Sequence, residues 1–137
     1  MSVSNISDSL RPTGELSIQT VAMPANTNPS GDIFAGWLVS QMDCAAGIAA
    51  VKVAHGRVAT VAIDKMKFLT AVHVGAVVSC HTNIMDIGRS SIRINVQVWI
   101  TKRQSFEQIK VTEGEFVFVA IDDKGRTRSI PKYNSSL

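Results

Sequence analysis

The sequence is short of cysteine, aromatic residues and charge. Of its 137 residues, 18% are charged, 6% are aromatic and two are cysteines, Cys44 and Cys80. Neither cysteine belongs to a CxxC or Cys/His pair with the spacing of metal ligands, so we expect two buried free thiols, no metal and a reducing, cytoplasmic location. The low charged fraction indicates that part of the surface is buried in an oligomer.

Other classes of protein are excluded by what the chain does not contain. The net charge is +3 without a dense block of Lys or Arg, which argues against nucleic acid as a partner. Residues 1–10 have no basic stretch followed by an apolar one, so no export signal is expected. Ile33–Val51 is almost long enough to span a membrane, but Asp43 at its centre would cost roughly 2.5–3.5 kcal/mol there. We therefore expect a helix buried inside a protein and no membrane partner.

Hydrophobic periodicity predicts one long helix and five strands, which is an α+β chain. The helix is expected to begin at Ile33, capped by Asp32, and to end at Gly56. A tight hairpin is expected at Gly88-Arg89, and the last three strands, which have short connections, must be antiparallel neighbours. The segments with strand character are Leu16–Met23, Val58–Phe68, Ala76–Ile87, Ser91–Thr101 and Val111–Ile121.

A single sheet of about five strands curls over this helix but cannot enclose it. Because the helix is apolar nearly all round, it needs cover on every side, and we infer that a second copy of the chain supplies the rest. The sequence thus predicts a homodimer at minimum. One domain is expected over residues 15–131, after a flexible segment (1–14) and before a short tail (132–137).

One face of the helix is lined by small residues and carries the single charge between Ile33 and Val51. Its members are Gly36, Ser40, Asp43, Gly47 and Ala50. Small residues leave room for a second helix or a slender ligand to approach. Asp43 lies too far from the helix start to be a cap, and burial of an unpaired carboxylate costs free energy. Two interpretations stay open, a polar residue at a subunit contact and a functional carboxylate.

Three stretches of the sequence resemble a known family. They are AMPANTNPSGDIFAGWLVSQMD, AHGRVATV and GRSSIRI. Through them, the chain from about Leu16 to about Pro131 is similar to the hotdog-fold acyl-CoA thioesterases, specifically the YciA-like group. The resemblance implies a hotdog fold, in which a curved antiparallel sheet wraps a long central helix, and dimers with a continuous sheet. It also implies a trimer of dimers, acyl-CoA as substrate, and hydrolysis to the free acid and coenzyme A without a cofactor.

The resemblance also implies which residues form the catalytic site. Asp43 stands where such enzymes have an acidic residue that serves as general base or nucleophile. Asn28 stands where an upstream amide completes the site from the partner subunit. The family's Gly pair at the helix start, whose backbone N–H groups face the thioester oxygen, reads Ala35-Gly36 here, so its first Gly is replaced. Since the backbone provides the interaction, Ala35 is expected to serve.

Coenzyme A is expected to bind at the hairpin. The predicted residues are Gly88, Arg89, Ser90 and Ser91, with Arg57 as a weaker candidate, because N–H, hydroxyl and guanidinium groups bind phosphate. By pattern alone, the alternative is an ordinary hairpin with a solvated Arg.

The acyl pocket is expected to be shaped by Trp37, Met66 and Phe68. Met66 and Phe68 are expected to share one face of a strand with Asp64. The pattern favours a place in the core for Met66 and Phe68, from which they can line the acyl pocket.

Other functions are less compatible with the residues. A hotdog dehydratase would show a catalytic His on the helix or its leading loop, and residues 24–54 contain none. No histidine is placed by spacing beside Ser40 or Cys44, and there is no GxSxG motif, which argues against a triad. A non-catalytic acyl-CoA-binding or sensing protein stays open as an alternative. So does direct attack by Asp43 in place of general-base catalysis.

Overall fold

One long helix and five strands follow each other along residues 10–132, the part of the chain that the computed structural model describes. They are β1 (Glu15–Val21), α1 (Ala35–Ala54), β2 (Val58–Phe68), β3 (Val77–Ile87), β4 (Ser91–Thr101) and β5 (Gln108–Ala120), with a short 3-10 helix at Pro24–Asn26. The predicted order of elements is confirmed. The predicted bounds of β2 and β4 agree with the structure at both ends.

The five strands form one antiparallel sheet in the order β1-β3-β4-β5-β2. β3, β4 and β5 are consecutive neighbours, as their short connections predict. The hairpin between β3 and β4 is closed by Gly88, whose N–H donates to the Ser91 carbonyl at 2.8 Å. β1 and β2 lie at the two edges, so each has one side without a strand neighbour within residues 10–132.

The apolar side of the sheet packs against α1. Ile92, Ile94, Val96 and Val98 alternate along β4 and are fully buried, as the alternation in the sequence predicts. The buried residues of the helix are Leu38, Met42, Ala45, Ala46, Ala49, Ala50 and Ala54. Because most of these side chains are small, the helix backbone can approach the sheet closely, and the core has one helix layer against one sheet layer.

The helix begins two residues later than predicted. Its N-cap is Phe34, which makes no side-chain capping hydrogen bond. The Asp32 carboxylate instead lies 3.2 Å from His73 Nδ1, in the connection between β2 and β3. The N–H of Ile33 donates to the Val72 carbonyl at 2.9 Å and holds Ile33 outside the helix. The predicted Asp32 cap is therefore wrong, because a partner on another segment holds that side chain.

The segment that follows β5 is hydrogen-bonded to the C-terminal end of the helix. The helix ends at Ala54, and His55 follows with φ of 52°, in the left-handed region, just before the predicted end at Gly56. Arg128 Nη2 donates to the Ala54 carbonyl at 3.0 Å, and Arg128 Nε donates to the Ile121 carbonyl at 3.0 Å. The first of these bonds satisfies one of the carbonyls that a helix end leaves without an internal partner, and the second holds the Arg128 side chain in place.

Apolar side chains are exposed on two adjoining surfaces of the protomer. On α1, the side turned away from the sheet exposes Ile48 and Val51. On the edge strand β2, Val61, Ile63 and Phe68 are exposed. The sheet of one chain therefore covers the helix only in part, as the sequence predicts.

The two cysteines differ in their surroundings. Cys80 is buried in β3, and burial raises the pKa of its thiol to about 12. Cys44 is also a free thiol but is exposed on α1. The prediction that both thiols are buried is wrong for Cys44, because that side of the helix faces away from the sheet of its own chain.

Thr13, inside the predicted flexible segment 1–14, is bonded to the outer face of the sheet. Its N–H donates to Gln97 Oε1 at 3.4 Å, and its Oγ1 accepts hydrogen bonds from Gln97 Nε2 and Asn83 Nδ2. Residues 1–9 and 133–137 lie outside the described residues, so the limits of the predicted domain stay a prediction. No helix within residues 10–132 is long and apolar enough to cross a membrane.

Candidate active site

Asp43 lies in the middle of α1, partly buried, and is bonded to β2. Its Oδ1 accepts a hydrogen bond from Thr60 Oγ1 at 2.7 Å. Its Oδ2 has no hydrogen-bond partner in the described part of the chain. The bond to Thr60 restricts rotation of the carboxylate and leaves one oxygen available to a water molecule or a ligand.

Thr60 is a site residue that the sequence analysis missed. A Thr in a strand rich in Val and Ile is explained by strand propensity alone, so its signal in the sequence is weak. The contact with Asp43 depends on where β2 crosses the helix and on a register shift between Thr60 and Ala62. Hydrophobic periodicity predicts neither of these.

The first turn of α1 presents free backbone donors. The N–H groups of Ala35 and Gly36 have no acceptor among residues 10–132, and both residues are exposed. A Cβ added at Gly36 would meet the ring of Phe34 at 3.4 Å and nothing nearer. Because the helix dipole adds partial positive charge here, this turn can stabilise an oxygen that develops negative charge.

Asn28 organises the loop that leads to the helix. Its Oδ1 accepts hydrogen bonds from the N–H groups of Ser30 at 2.9 Å and Asp32 at 3.1 Å. The Asn28 N–H donates to the Asp32 carbonyl at 2.6 Å, and the Gly31 N–H donates to the Asn28 carbonyl at 2.9 Å. These two donors to Oδ1 assign the amide orientation and direct Nδ2, which has no described acceptor, away from the loop.

The predicted catalytic groups do not meet within one protomer. From Ala35 to Asp43 the helix rises about 12 Å, at about 1.5 Å per residue. No hydrogen bond joins Asn28 to Asp43 in the described residues. Asp43 is bonded to β2, which is an edge of the sheet. A site that uses all of these groups therefore requires two chains.

The residues predicted to bind coenzyme A lie at the other end of the helix, about 30 Å from its start by helical rise. Arg57 Nη1 donates to the carbonyls of Asp122 and Asp123, each at 3.2 Å. Arg57 thus supports the turn after β5, and its side chain is exposed.

Arg89 lies close to the same segment. Its Nε donates to Ser129 Oγ at 3.2 Å, and its carbonyl accepts the N–H of Ile130 at 2.7 Å. The Ser90 carbonyl accepts the N–H of Ala120 at 2.8 Å. The backbone of hairpin 88–91 is therefore fixed, while both terminal nitrogens of the Arg89 guanidinium have no partner among the described residues.

A bulge in β2 separates the residues that were predicted to share a face. Asp64 pairs with Glu115, but the next pairing joins Lys67 to Glu113, so two residues of β2 oppose Gly114. Asp64 Oδ2 accepts a hydrogen bond from Arg93 Nη1 at 3.1 Å on the outer face of the sheet. Met66 packs against Gly114 on the inner face. The predicted common face of Asp64, Met66 and Phe68 is therefore wrong.

The side chains predicted to shape the acyl pocket lie at the border of the core. Trp37 and Met66 are partly buried and pack against it, while Phe68 is half exposed. Their role in acyl binding stays a prediction. Within residues 10–132 no group of three or more His, Cys, Asp or Glu side chains is arranged to hold a metal ion.

Known proteins resemble this chain over most of its length. The family model of the thioesterase superfamily matches residues 30–107. The acyl-CoA thioester hydrolase YciA of Salmonella typhimurium is 48% identical over 123 residues, which are 88% of this chain and 92% of that protein. The crystal structure of a hexameric thioesterase from Yersinia pestis is 48% identical, with a TM-score of 0.85 over 89% of this chain and 100% of that one.

A second solved structure is as similar. It is the aspartate-to-alanine mutant of a hexameric broad-specificity acyl-coenzyme A thioesterase, 47% identical, with a TM-score of 0.86 over 89% of this chain and 90% of that one. The sequence identity, the coverage of both chains and the similarity of fold all indicate the same family. The chain therefore belongs to the thioesterase superfamily and, within it, to the YciA-like acyl-CoA thioester hydrolases of the hotdog fold.

Proposed function

We propose that Asp43 is the general base with which this enzyme hydrolyses acyl-CoA thioesters to free acid and coenzyme A. The observation that carries the proposal is the fixed carboxylate, which is bonded to Thr60 through Oδ1 at 2.7 Å and has Oδ2 available. Oδ2 accepts a proton from water as the water attacks the thioester carbonyl carbon. Because a thiol has a pKa of about 8.5, taking cysteine as a guide, coenzyme A departs as the thiolate without an acid.

The start of α1 forms the oxyanion hole in this mechanism. The N–H groups of Ala35 and Gly36 point at the thioester oxygen, and the helix dipole supports the charge that develops on it. Asn28 Nδ2 donates to the attacking water or to the carbonyl and so fixes their relative position. Since the carboxylate and the oxyanion hole are about 12 Å apart along one helix, one chain supplies Ala35, Gly36 and Asn28 and the other supplies Asp43.

The dimer that builds this site forms through the edge strand β2. β2 carries exposed Val61 and Ile63 and has no strand neighbour on one side in the described chain, so a second β2 can pair with it and extend the sheet. The same contact covers Ile48 and Val51 of α1. Since the similar solved thioesterases are hexameric, we propose a trimer of such dimers.

Coenzyme A binds at hairpin 88–91 in this proposal. The terminal nitrogens of Arg89 are available to a phosphate, and Ser90, Ser91 and Gly88 line the same turn. Arg57 is the weaker ligand, because its Nη1 is held by two carbonyls. In the dimer these residues reach the helix start of the partner. The two free thiols fit a reducing, cytoplasmic location.

The proposed activity is tested by release of free coenzyme A thiol from a panel of acyl-CoAs, short to long and aromatic. We expect turnover of several of them, because one similar thioesterase has broad specificity. Hydrolysis confirms the activity, and the panel gives the chain preference that Trp37, Met66 and Phe68 impose. Binding of acyl-CoA without turnover would contradict the proposal and favour a sensing protein.

Thr60→Val is expected to lower kcat about 10-fold to 100-fold, because it keeps the shape of the side chain but removes a hydrogen bond to a charged group. The carboxylate then rotates freely, which slows the proton transfer and lowers kcat. Because Thr60 is not proposed to contact the substrate, KM is expected to change little. Thr60→Ser keeps the hydroxyl and is expected to retain most activity. Steady-state kinetics of both variants check this, and equal rates for Thr60→Val and wild type would show that Asp43 needs no such support.

A further inference from the structure

The N-cap of α1 is occupied by an aromatic residue. Phe34 holds this position with φ of −76° and ψ of 150°, an extended conformation from which Ser, Thr, Asp or Asn caps a helix. A Phe side chain has no hydrogen-bond acceptor, and Phe34 makes no capping bond. Because a residue that can cap would give a more stable helix start, the presence of Phe at this position is not explained by helix capping.

The loop before the helix contains residues that could cap it, but their side chains are bonded elsewhere. Thr27 Oγ1 donates to a carbonyl of the preceding 3-10 helix at 2.9 Å. Asn28 Oδ1 accepts the N–H groups of Ser30 and Asp32. The Asp32 carboxylate lies 3.2 Å from His73 Nδ1. Within residues 10–132, no side chain therefore accepts a hydrogen bond from the first turn of α1.

This uncapped first turn leaves the Gly36 N–H available to a substrate. The Trp37 N–H is already used, since it donates to the Phe34 carbonyl at 3.1 Å, whereas the Gly36 N–H has no acceptor in the described part of the chain. A capping side chain at position 34 bonds the second or third N–H of the helix. Here that N–H belongs to Gly36, because that of Trp37 is taken. A cap would thus occupy a donor that the proposed mechanism assigns to the thioester oxygen.

The ring of Phe34 lies beside the same donor. A Cβ added at Gly36 would meet ring atoms Cδ2 and Cε2 of Phe34 at 3.4 Å. The Phe34 side chain is 40% exposed, so part of it faces the space outside the helix start. Gly36 is on the small-residue face of α1 that also carries Asp43. The ring therefore gives the oxyanion hole an apolar neighbour, which strengthens a hydrogen bond there and brings no competing acceptor.

We propose that Phe34 is a positioning residue for hydrolysis, because an apolar N-cap keeps the Gly36 N–H unbonded for the thioester oxygen. The inference rests on the proposed function, since it requires the oxyanion hole at the start of α1. A capping side chain would have to release this N–H before the oxyanion could bind it. The free energy that a cap adds to the folded protein would therefore be lost again in the transition state. Capping at position 34 raises stability and lowers activity together.

The test compares Phe34→Ser with Phe34→Ala, which differ by one capping hydroxyl. The measurements are release of coenzyme A thiol and the thermal unfolding midpoint. We expect Phe34→Ser to melt about 2–5 °C above Phe34→Ala and to have a kcat/KM about 5-fold to 10-fold lower. A residue that only stabilised the helix would not give this opposition, because a firmer helix start would keep or raise activity. Phe34→Asn and Phe34→Leu repeat the comparison with side chains of nearly equal size.

Phe34→Tyr is the conservative control. It keeps the ring, and its hydroxyl lies at the far end of the ring from the backbone, so it is expected to match wild type in kcat/KM. Equal kcat/KM within both pairs, at any melting temperature, would overturn the inference and leave the proposed hydrolysis intact. Failure of wild type to release coenzyme A from any acyl-CoA would instead overturn the proposed function.

Discussion

Asp43→Asn is expected to reduce kcat at least about 100-fold with little change in KM, because the amide cannot accept the proton of the attacking water. The replacement is nearly isosteric, and its amide oxygen can still accept the hydrogen bond of Thr60. The helix and its contact with β2 are therefore kept. The measurement is release of coenzyme A thiol from the best substrate of the panel, with the thermal unfolding midpoint as the check on folding.

Asp32→Asn is the matched control for this loss. Asp32 lies at the edge of the same site, but its carboxylate contacts His73 at 3.2 Å at an exposed position, where such a pair contributes little. We expect this variant to retain most activity. Full activity of Asp43→Asn would show that Asp43 is not the general base, and a loss in Asp32→Asn would then make Asp32 the candidate base.

Ala35→Pro is expected to lower kcat about 100-fold to 1,000-fold, because it deletes one N–H of the oxyanion hole. The helix should tolerate it. Ala35 is the first helical residue, where Pro is favoured, and Phe34 has φ of −76° and ψ of 150°, the conformation that a residue before Pro adopts. The substitution thus removes a backbone donor while the path of the chain is preserved.

Ala35→Gly is the control for this experiment, since it keeps the N–H and restores the Gly pair of the family. We expect activity near that of wild type. Circular dichroism and the unfolding midpoint establish that Ala35→Pro is folded. A folded Ala35→Pro variant with wild-type kcat would remove the Ala35 N–H from the oxyanion hole and leave Gly36 as its sole candidate donor at this turn.

Elements with a regular alternation of apolar residues were predicted well from the sequence. In β4, every second residue is apolar and buried against the helix, so both ends of the strand could be read directly. The start of the helix could not, because Asp32 has the chemistry of a cap but is held by His73, which lies about forty positions later in the chain. A long-range partner of this kind leaves no local signal.

The candidate site shows the same limit. The position of Asp43 in an apolar helix was visible as a single charge, but its bond to Thr60 depends on how two elements cross. The bulge in β2, where Lys65 has φ of 55°, reverses the alternation that was used to group Met66 with Asp64.

The order of strands in the sheet has a consequence during synthesis on the ribosome. β2 is made before β3 and β4, yet within residues 10–132 it pairs with β5, the last strand of the chain. Until β5 emerges, the nascent chain carries an apolar segment with both backbone edges open, which is the kind of species that chaperones bind and that aggregates. Slow translation between residues 69 and 107 would therefore lengthen the time during which β2 is exposed to aggregation.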